Sequence, residues 1–212
     1  MAKLGLCLLL LFFFFHIMVS MVEPTIATNS SATNSSTTNF IKASCKVTSY
    51  FALCVHSLSS YASTIQQSDQ QLTQASLSVS LARARLAAVY VSKMTKTSGI
   101  KPREYQAVKD CIANIGDAIY ELNNSVQELG HMGKAGAQDF EWHMSNVQTW
   151  VSTALTKENT CLDGFAVQGM DGNVKTAIKN RVTIVAQLTS NAVALASRYA
   201  ARHRACSTTN VP

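Results

Sequence analysis

Residues 102–130 read PREYQAVKDCIANIGDAIYELNNSVQELG, and this stretch decides the fold. Tyr105, Val108, Ile112, Ile115, Ile119, Leu122, Val126 and Leu129 recur at steps of three or four, which makes one long apolar stripe. Pro102 sits where a first helical turn tolerates it, and Gly130 stands where a helix stops. The spacing predicts a long helix packed along one side.

Three further stripes flank it. Leu72, Ala75, Val79, Ala82, Leu86 and Val89 keep the same rhythm, start behind Ser68 and Asp69, either of which can cap, and run out at Ser98-Gly99. Phe140, Met144, Val147, Val151 and Ala154 follow Asp139; Val174, Ile178, Val182, Val185, Leu188, Ala192, Leu195 and Tyr199 form the last. The connections are short or carry glycine. Four amphipathic helices joined this way predict an all-α, antiparallel up-down four-helix bundle over 69–203, with crossings near ~20°. Residues 40–67 are expected to form shorter helices ahead of the bundle. Three prolines and nine glycines in 212 residues disfavour a β-sandwich, whose turns consume both.

The N-terminus sets the compartment. Lys3 precedes an unbroken apolar run from Leu4 to Phe15 and then smaller residues, the layout of a cleaved secretory signal over 1–27, too short for a comfortable membrane span. No later segment is apolar enough to span. Residues 28–39 are rich in Ser, Thr and Asn and read as a flexible leader, while 207–212 form a tail. Sequons at Asn29, Asn34 and Asn123 are glycosylation candidates, the last within a helix.

Without the signal, Lys3 and Glu23 go, and 17 basic against 11 acidic side chains leave the net charge at +6. In a secreted chain such a surplus serves solubility or weak attraction to an acidic matrix, and nucleic acid is out of reach. Five cysteines survive: Cys45, Cys54, Cys111, Cys161 and Cys206. In an oxidising compartment an even subset pairs and one is left over. Cys45 and Cys54 are near enough in sequence for a local bridge. If 130–138 joins antiparallel neighbours, Cys111 and Cys161 lie about 27 and 33 Å below that connection, within about one turn of each other.

Signatures of catalysis are missing: GxSxG, HExxH, Walker and Rossmann glycine patterns and a papain-like cysteine context are all absent from the sequence. Glu128-x-x-His131 has the spacing of a di-metal ligand pair but lacks its second half, so neither metal nor cofactor is expected. Trp142 and Trp150, eight apart, either pack on a neighbouring helix or anchor a partner.

Several short segments resemble a known family. They are Ser44-Cys45, Thr48-Ser49-Tyr50, Leu53-Cys54, Lys109-Asp110-Cys111, Asp117-Ala118, Trp150-Val151-Ser152-Thr153-Ala154-Leu155-Thr156, Thr160-Cys161-Leu162-Asp163-Gly164-Phe165 and the run from Leu188 to Leu195. In this order, with four framework cysteines, they resemble the plant pectin methylesterase and invertase inhibitors. The resemblance implies a hairpin-plus-bundle domain over 40–206, with Cys45 bridged to Cys54 and Cys111 to Cys161, and Cys206 outside both. It also implies a secreted, non-enzymatic protein of the apoplast and cell wall. Such a protein occludes the cleft of pectin methylesterase with one side of the bundle; separately, the basic surplus allows a weak attraction to acidic pectin.

Invertase is the alternative target, and a structural or signalling bundle the second alternative. Invertase inhibitors carry a Pro-Lys-Phe-type loop between the second and third bundle helices; here that loop reads GHMGKAGA over 130–137, which favours the esterase. The domain also resembles the pro-region ahead of some pectin methylesterases, but the chain reads as a stand-alone inhibitor. Departures from the family pattern are Ala113, Ile115 and Phe51. Polar positions beside the stripes are the expected partner contacts: Asp117, Glu121, Asn146, Thr153 and Thr160.

Overall fold

The computed structural model describes residues 29–132, 139–166, 170 and 172–208, and all packing below lies within 36–212. The expected signal at 1–27, most of the connection between the second and third bundle helices at 133–138, and the expected tail beyond 208 lie outside the described residues. Among the described residues seven helices follow in order: α1 (Asn29–Cys45), α2 (Phe51–Ser59), α3 (Ala62–Ile65), α4 (Asp69–Met94), α5 (Pro102–His131), α6 (Phe140–Asp163) and α7 (Asn173–Thr208). The described residues contain no strand.

The last four helices make the bundle, and side-chain pairs fix its direction. Gln70 and Gln74 of α4 donate to the carbonyls of Leu129 and Val126, so α4 and α5 are antiparallel. Asp117 with Lys157 and Glu128 with Asn146 show the same for α5 and α6. Arg204 with Glu141 and Thr189 with Glu158 do so for α6 and α7, and Thr73 with Leu195 and Arg181 over Tyr90 close the ring from α7 to α4.

The α5 stripe refines into a strict core row. Glu104, Val108, Cys111, Ile115, Ala118, Leu122, Ser125 and Leu129 are buried at alternating steps of four and three, while Tyr105 is 41% exposed. This row meets Met144, Val147, Val151 and Ala154 of α6 and Val182, Val185 and Ala192 of α7 in two contiguous apolar clusters. Cys111 and Cys161 are bridged, with Cα atoms 4.3 Å apart, and clamp α5 to α6.

Four expectations need correction. The tract 28–39, read as a flexible leader, is helical from Asn29 onward. Ser, Thr and Asn disfavour helix locally, but Thr37, Ile41 and Cys45 are buried one turn apart, and tertiary burial outweighs weak propensity. The stripe on α4 is apolar but is not the bundle face: Leu86 is 61% and Val89 58% exposed. The bundle face of α4 is instead Leu77, Leu81, Ala84, Ala87 and Val91. Leu72 and Ala75, at the start of the predicted stripe, pack under the hairpin with Ile41, Cys45, Cys54, Leu58, Ile65 and Leu195. Lastly, α5 runs past Gly130 to His131, and α7 runs to Thr208, into the first two residues of the expected tail.

The hairpin is pinned by chemistry at three points. Cys45 bridges to Cys54, tying the end of α1 to α2. Asn191 of α7, buried, clasps the Tyr50 backbone from both sides: its Oδ1 accepts from Tyr50 N at 3.2 Å and its Nδ2 donates to Tyr50 O at 3.1 Å. Asp69 holds Arg198 and Arg202, and the Arg198 guanidinium also stands over Phe40 of α1. Between α3 and α4, Ser68 rather than Asp69 is the cap, its hydroxyl accepting from Gln71 N. After α4 the chain turns at Gly99, whose φ of +73° is a conformation that glycine adopts without strain.

Candidate partner-binding face

The seam between α5 and α6 carries the candidate contacts. Lys157 Nζ donates to Asp117 Oδ2 at 2.8 Å, and eleven residues along both helices Asn146 Nδ2 donates to Glu128 Oε1 at 2.9 Å. That register sets Glu121 level with Thr153. On α6, Asn146, Trp150, Thr153, Lys157 and Thr160 repeat at steps of four and three, so they form one edge of the helix. All five expected contact residues therefore lie along a single flank: Asp117 and Glu121 from α5, Asn146, Thr153 and Thr160 from α6.

Their local bonds decide what each can offer. Thr153 and Thr160 donate their hydroxyls to the carbonyls four residues back, leaving methyl groups and free lone pairs outward. Asp117 and Lys157 are both well exposed, so their pair contributes little to stability and is free to exchange partners. Glu121 holds one carboxylate oxygen, Oε2, buried without a hydrogen-bond partner among the described residues. Trp150 is half-buried on the same edge, and Trp142 stands 63% exposed with its ring edge-on to His143 at 4.9 Å.

Glu128 organises the upper end of the seam. Its Oε1 also contacts His143 Nδ1 at 2.9 Å, so one carboxylate links α5 to two positions of α6. Burial works to raise this carboxyl, but the hydrogen bonds from Asn146 and His143 and the charges of His143 and His131 hold it below its ordinary value. Of the Glu128-x-x-His131 pair noted in the sequence, Glu128 is engaged across the seam by His143 and Asn146. Among the described residues no group of three potential ligands converges on a metal.

Sequence reasoning missed three polar residues set inside the bundle. Glu158 is fully buried; its Oε1 accepts from Thr189, itself fully buried, at 3.0 Å, and its Oε2 has no partner among the described residues. Burial pushes this carboxyl up to about 8, against the pull of the Thr189 hydrogen bond. Continuing the α6 stripe from Ala154 by four and three reaches Glu158 and Cys161, so the signal was present but was stopped at the first polar residue. Asn191 lies in the family-like run yet shows its role only once the hairpin is in place.

Of the sequons, Asn123 is partly exposed on α5 and accepts from Arg85 at 3.4 Å, while the Ser125 hydroxyl is buried and donates to the Glu121 carbonyl at 3.0 Å. Asn29 and Asn34 belong to α1, and their side chains lie outside the described residues. Cys206 is exposed near the end of α7 and takes part in neither disulfide.

Comparison with known proteins places this architecture. Residues 39–195 match the family described as plant invertase/pectin methylesterase inhibitor. Over 188 residues the chain is 50% identical to pectinesterase inhibitor 9 of Arabidopsis thaliana, covering 86% of this chain and 92% of that one. It is 45% identical over 165 residues to a 21 kDa protein of Daucus carota, covering 78% of this chain and 86% of the relative. The solved structure of a mutant form of a pectin methylesterase inhibitor from Arabidopsis superimposes with a TM-score of 0.58 at 20% identity, over 72% of this chain and 92% of its own. That likeness supports the helical fold. The family match over residues 39–195 and the high identity to these relatives agree, and the chain belongs to the plant invertase/pectin methylesterase inhibitor family.

Proposed function

We propose that this protein is a secreted, non-catalytic inhibitor of pectin methylesterase that lays its α5/α6 flank over the enzyme's substrate cleft in the cell wall. The carrying observation is that flank: five polar candidates and Trp150 aligned on two helices that a disulfide clamps together. The relative at 50% identity carries the name pectinesterase inhibitor, which supports the choice of target.

Occlusion needs only stiffness and fit. Both helices have their backbone groups bonded internally, so the flank offers no extended segment for an enzyme to process. A standard interface of roughly 1,600 Å² is enough to exclude a polymer from a cleft. Exposed Trp142 and half-buried Trp150 are the kind of side chain that dominates such interfaces, with Asp117, Glu121, Asn146, Thr153 and Thr160 supplying polar complementarity around them. Secretion rests on the apolar N-terminal run, and among the described residues no helix is long and apolar enough to cross a membrane. Glycans at Asn29, Asn34 and Asn123 fit that route.

The test mixes the purified, oxidised protein with a plant pectin methylesterase and, separately, with an acid invertase. Stoichiometric loss of esterase activity with formation of a complex is the expected result. Asp117→Lys with Trp150→Ala should raise the inhibition constant about 100-fold while leaving the helical spectrum unchanged. Unaltered inhibition by that double variant would remove the flank from the mechanism, and inhibition of invertase alone would reassign the target.

A further inference from the structure

The α4/α7 side lies across the bundle from the α5/α6 seam and has a different character. Where the hairpin stops covering α4, a groove of about 430 Å³ opens between α2–α3, α4 and α7. Apolar Val79, Ile184 and Leu188 line it together with Tyr61, and Ile184 and Tyr61 are 45% and 40% exposed. Arg83 and His56 stand in it, and none of its lining residues is acidic. Further along α7, Arg198 and Arg202 share the single carboxylate of Asp69. Arg83 is exposed and has no ion-pair partner among the described residues.

The cationic, aromatic character also repeats along the flank. Tyr90 lies seven residues beyond Arg83 on α4, and Arg181 seven before Leu188 on α7, so both return to the same face two turns away, about 10 Å along the axis. There the Arg181 guanidinium sits 4.4 Å over the Tyr90 ring. An isolated anion needs only one such position. A repeating anion with a flat, carbon-bearing ring face uses the whole strip: carboxylates for the guanidinium groups, ring C–H faces for the tyrosines, and hydroxyls for Ser57 and Ser60 of the groove.

We propose that this strip binds de-esterified polygalacturonate, the acidic polymer that pectin methylesterase produces. One flank would then engage the enzyme and the opposite flank its product. The idea names a second partner for the inhibitor proposed above, and its test omits the enzyme, so the two readings fail separately.

The full, disulfide-intact protein is titrated calorimetrically with a short oligogalacturonate, with its methyl-esterified counterpart and with dextran sulfate. Oligogalacturonate should bind, and its ester at least ten-fold more weakly. Arg83→Ala should weaken binding about ten-fold, as expected for one lost charge-assisted contact. Lys109→Ala, which removes the same charge from α5, should leave it unchanged. Equal losses in both variants, dextran sulfate binding as tightly as oligogalacturonate, or no binding at all would each overturn the proposal. Inhibition of pectin methylesterase by Arg83→Ala should match the wild type; a strong loss there would also count against it by placing Arg83 in the enzyme interface.

Discussion

Replacing Glu158 by glutamine should make the protein much less sensitive to rising pH. This carboxyl lies on the core row of α6 with no exposed surface, its Oε1 accepting from the Thr189 hydroxyl and its Oε2 without a hydrogen-bond partner among the described residues. Burial raises it from the ordinary 4.5 to about 8. The folded protein therefore keeps this proton to higher pH than the unfolded chain does. No penalty exists well below 4.5; it grows as the pH climbs and levels off above about 8. At 1.36 kcal/mol per pKa unit, it reaches about 1 kcal/mol at pH 5 and about 3 kcal/mol at pH 7. The neutral amide of the Glu158→Gln variant keeps the size and the acceptor for Thr189 but cannot ionise. Urea denaturation of both proteins, disulfides intact, at pH 5, 6 and 7 gives the difference directly, and other titrating groups cancel in the comparison. The wild type should lose about 2 to 3 kcal/mol relative to the variant between pH 5 and 7. Two stability curves that run parallel across that range would refute the assignment of a neutral acid inside the core.

Removing the Cys111–Cys161 bridge with a double serine variant should cost about 4 kcal/mol on the chain-entropy account of a 50-residue loop, read as a lower denaturation midpoint. The register of α4 is checked by a pair of substitutions: Leu86→Gln should change stability by less than about 0.5 kcal/mol, while Leu81→Ala should cost about 2 to 5 kcal/mol. The reverse order would restore the face read from the sequence.

Much of this protein was legible in its residues because helical periodicity survives translation into structure with little loss. The α5, α6 and α7 stripes predicted the packed faces nearly position by position, and turn residues such as Gly99 marked the breaks. Helix rise alone brought Cys111 and Cys161 to similar depth, which the 4.3 Å Cα separation satisfies. The α4 stripe misled for a definite reason. That helix is apolar on two sides, and the more regular side belongs to the hairpin for its first turns and to solvent after Val79. The leader misled differently, since composition reports what a segment prefers alone and α1 is held by what it buries.

The candidate site was half legible. Spacing placed Asn146, Thr153 and Thr160 on one edge of α6, because seven residues return a helix to the same side. Nothing in the sequence told that Asp117 would face Lys157, or that Glu128 would choose His143 and Asn146 over His131 three residues on. Those are choices between partners remote in the chain.

The residues alone determined that this chain forms helices, that four long ones make the bundle, which sides of three of these shun water, and where two cross-links are geometrically allowed. The tertiary arrangement decided which apolar side meets which neighbour, where a carboxylic acid is sealed from solvent, and where an arginine is left without a counter-charge. The division has a physical cause. Helix formation and amphipathicity are set by neighbours within about four residues. Desolvation, ion pairing and grooves depend on atoms brought together from positions a hundred residues apart, as Tyr50 and Asn191 are.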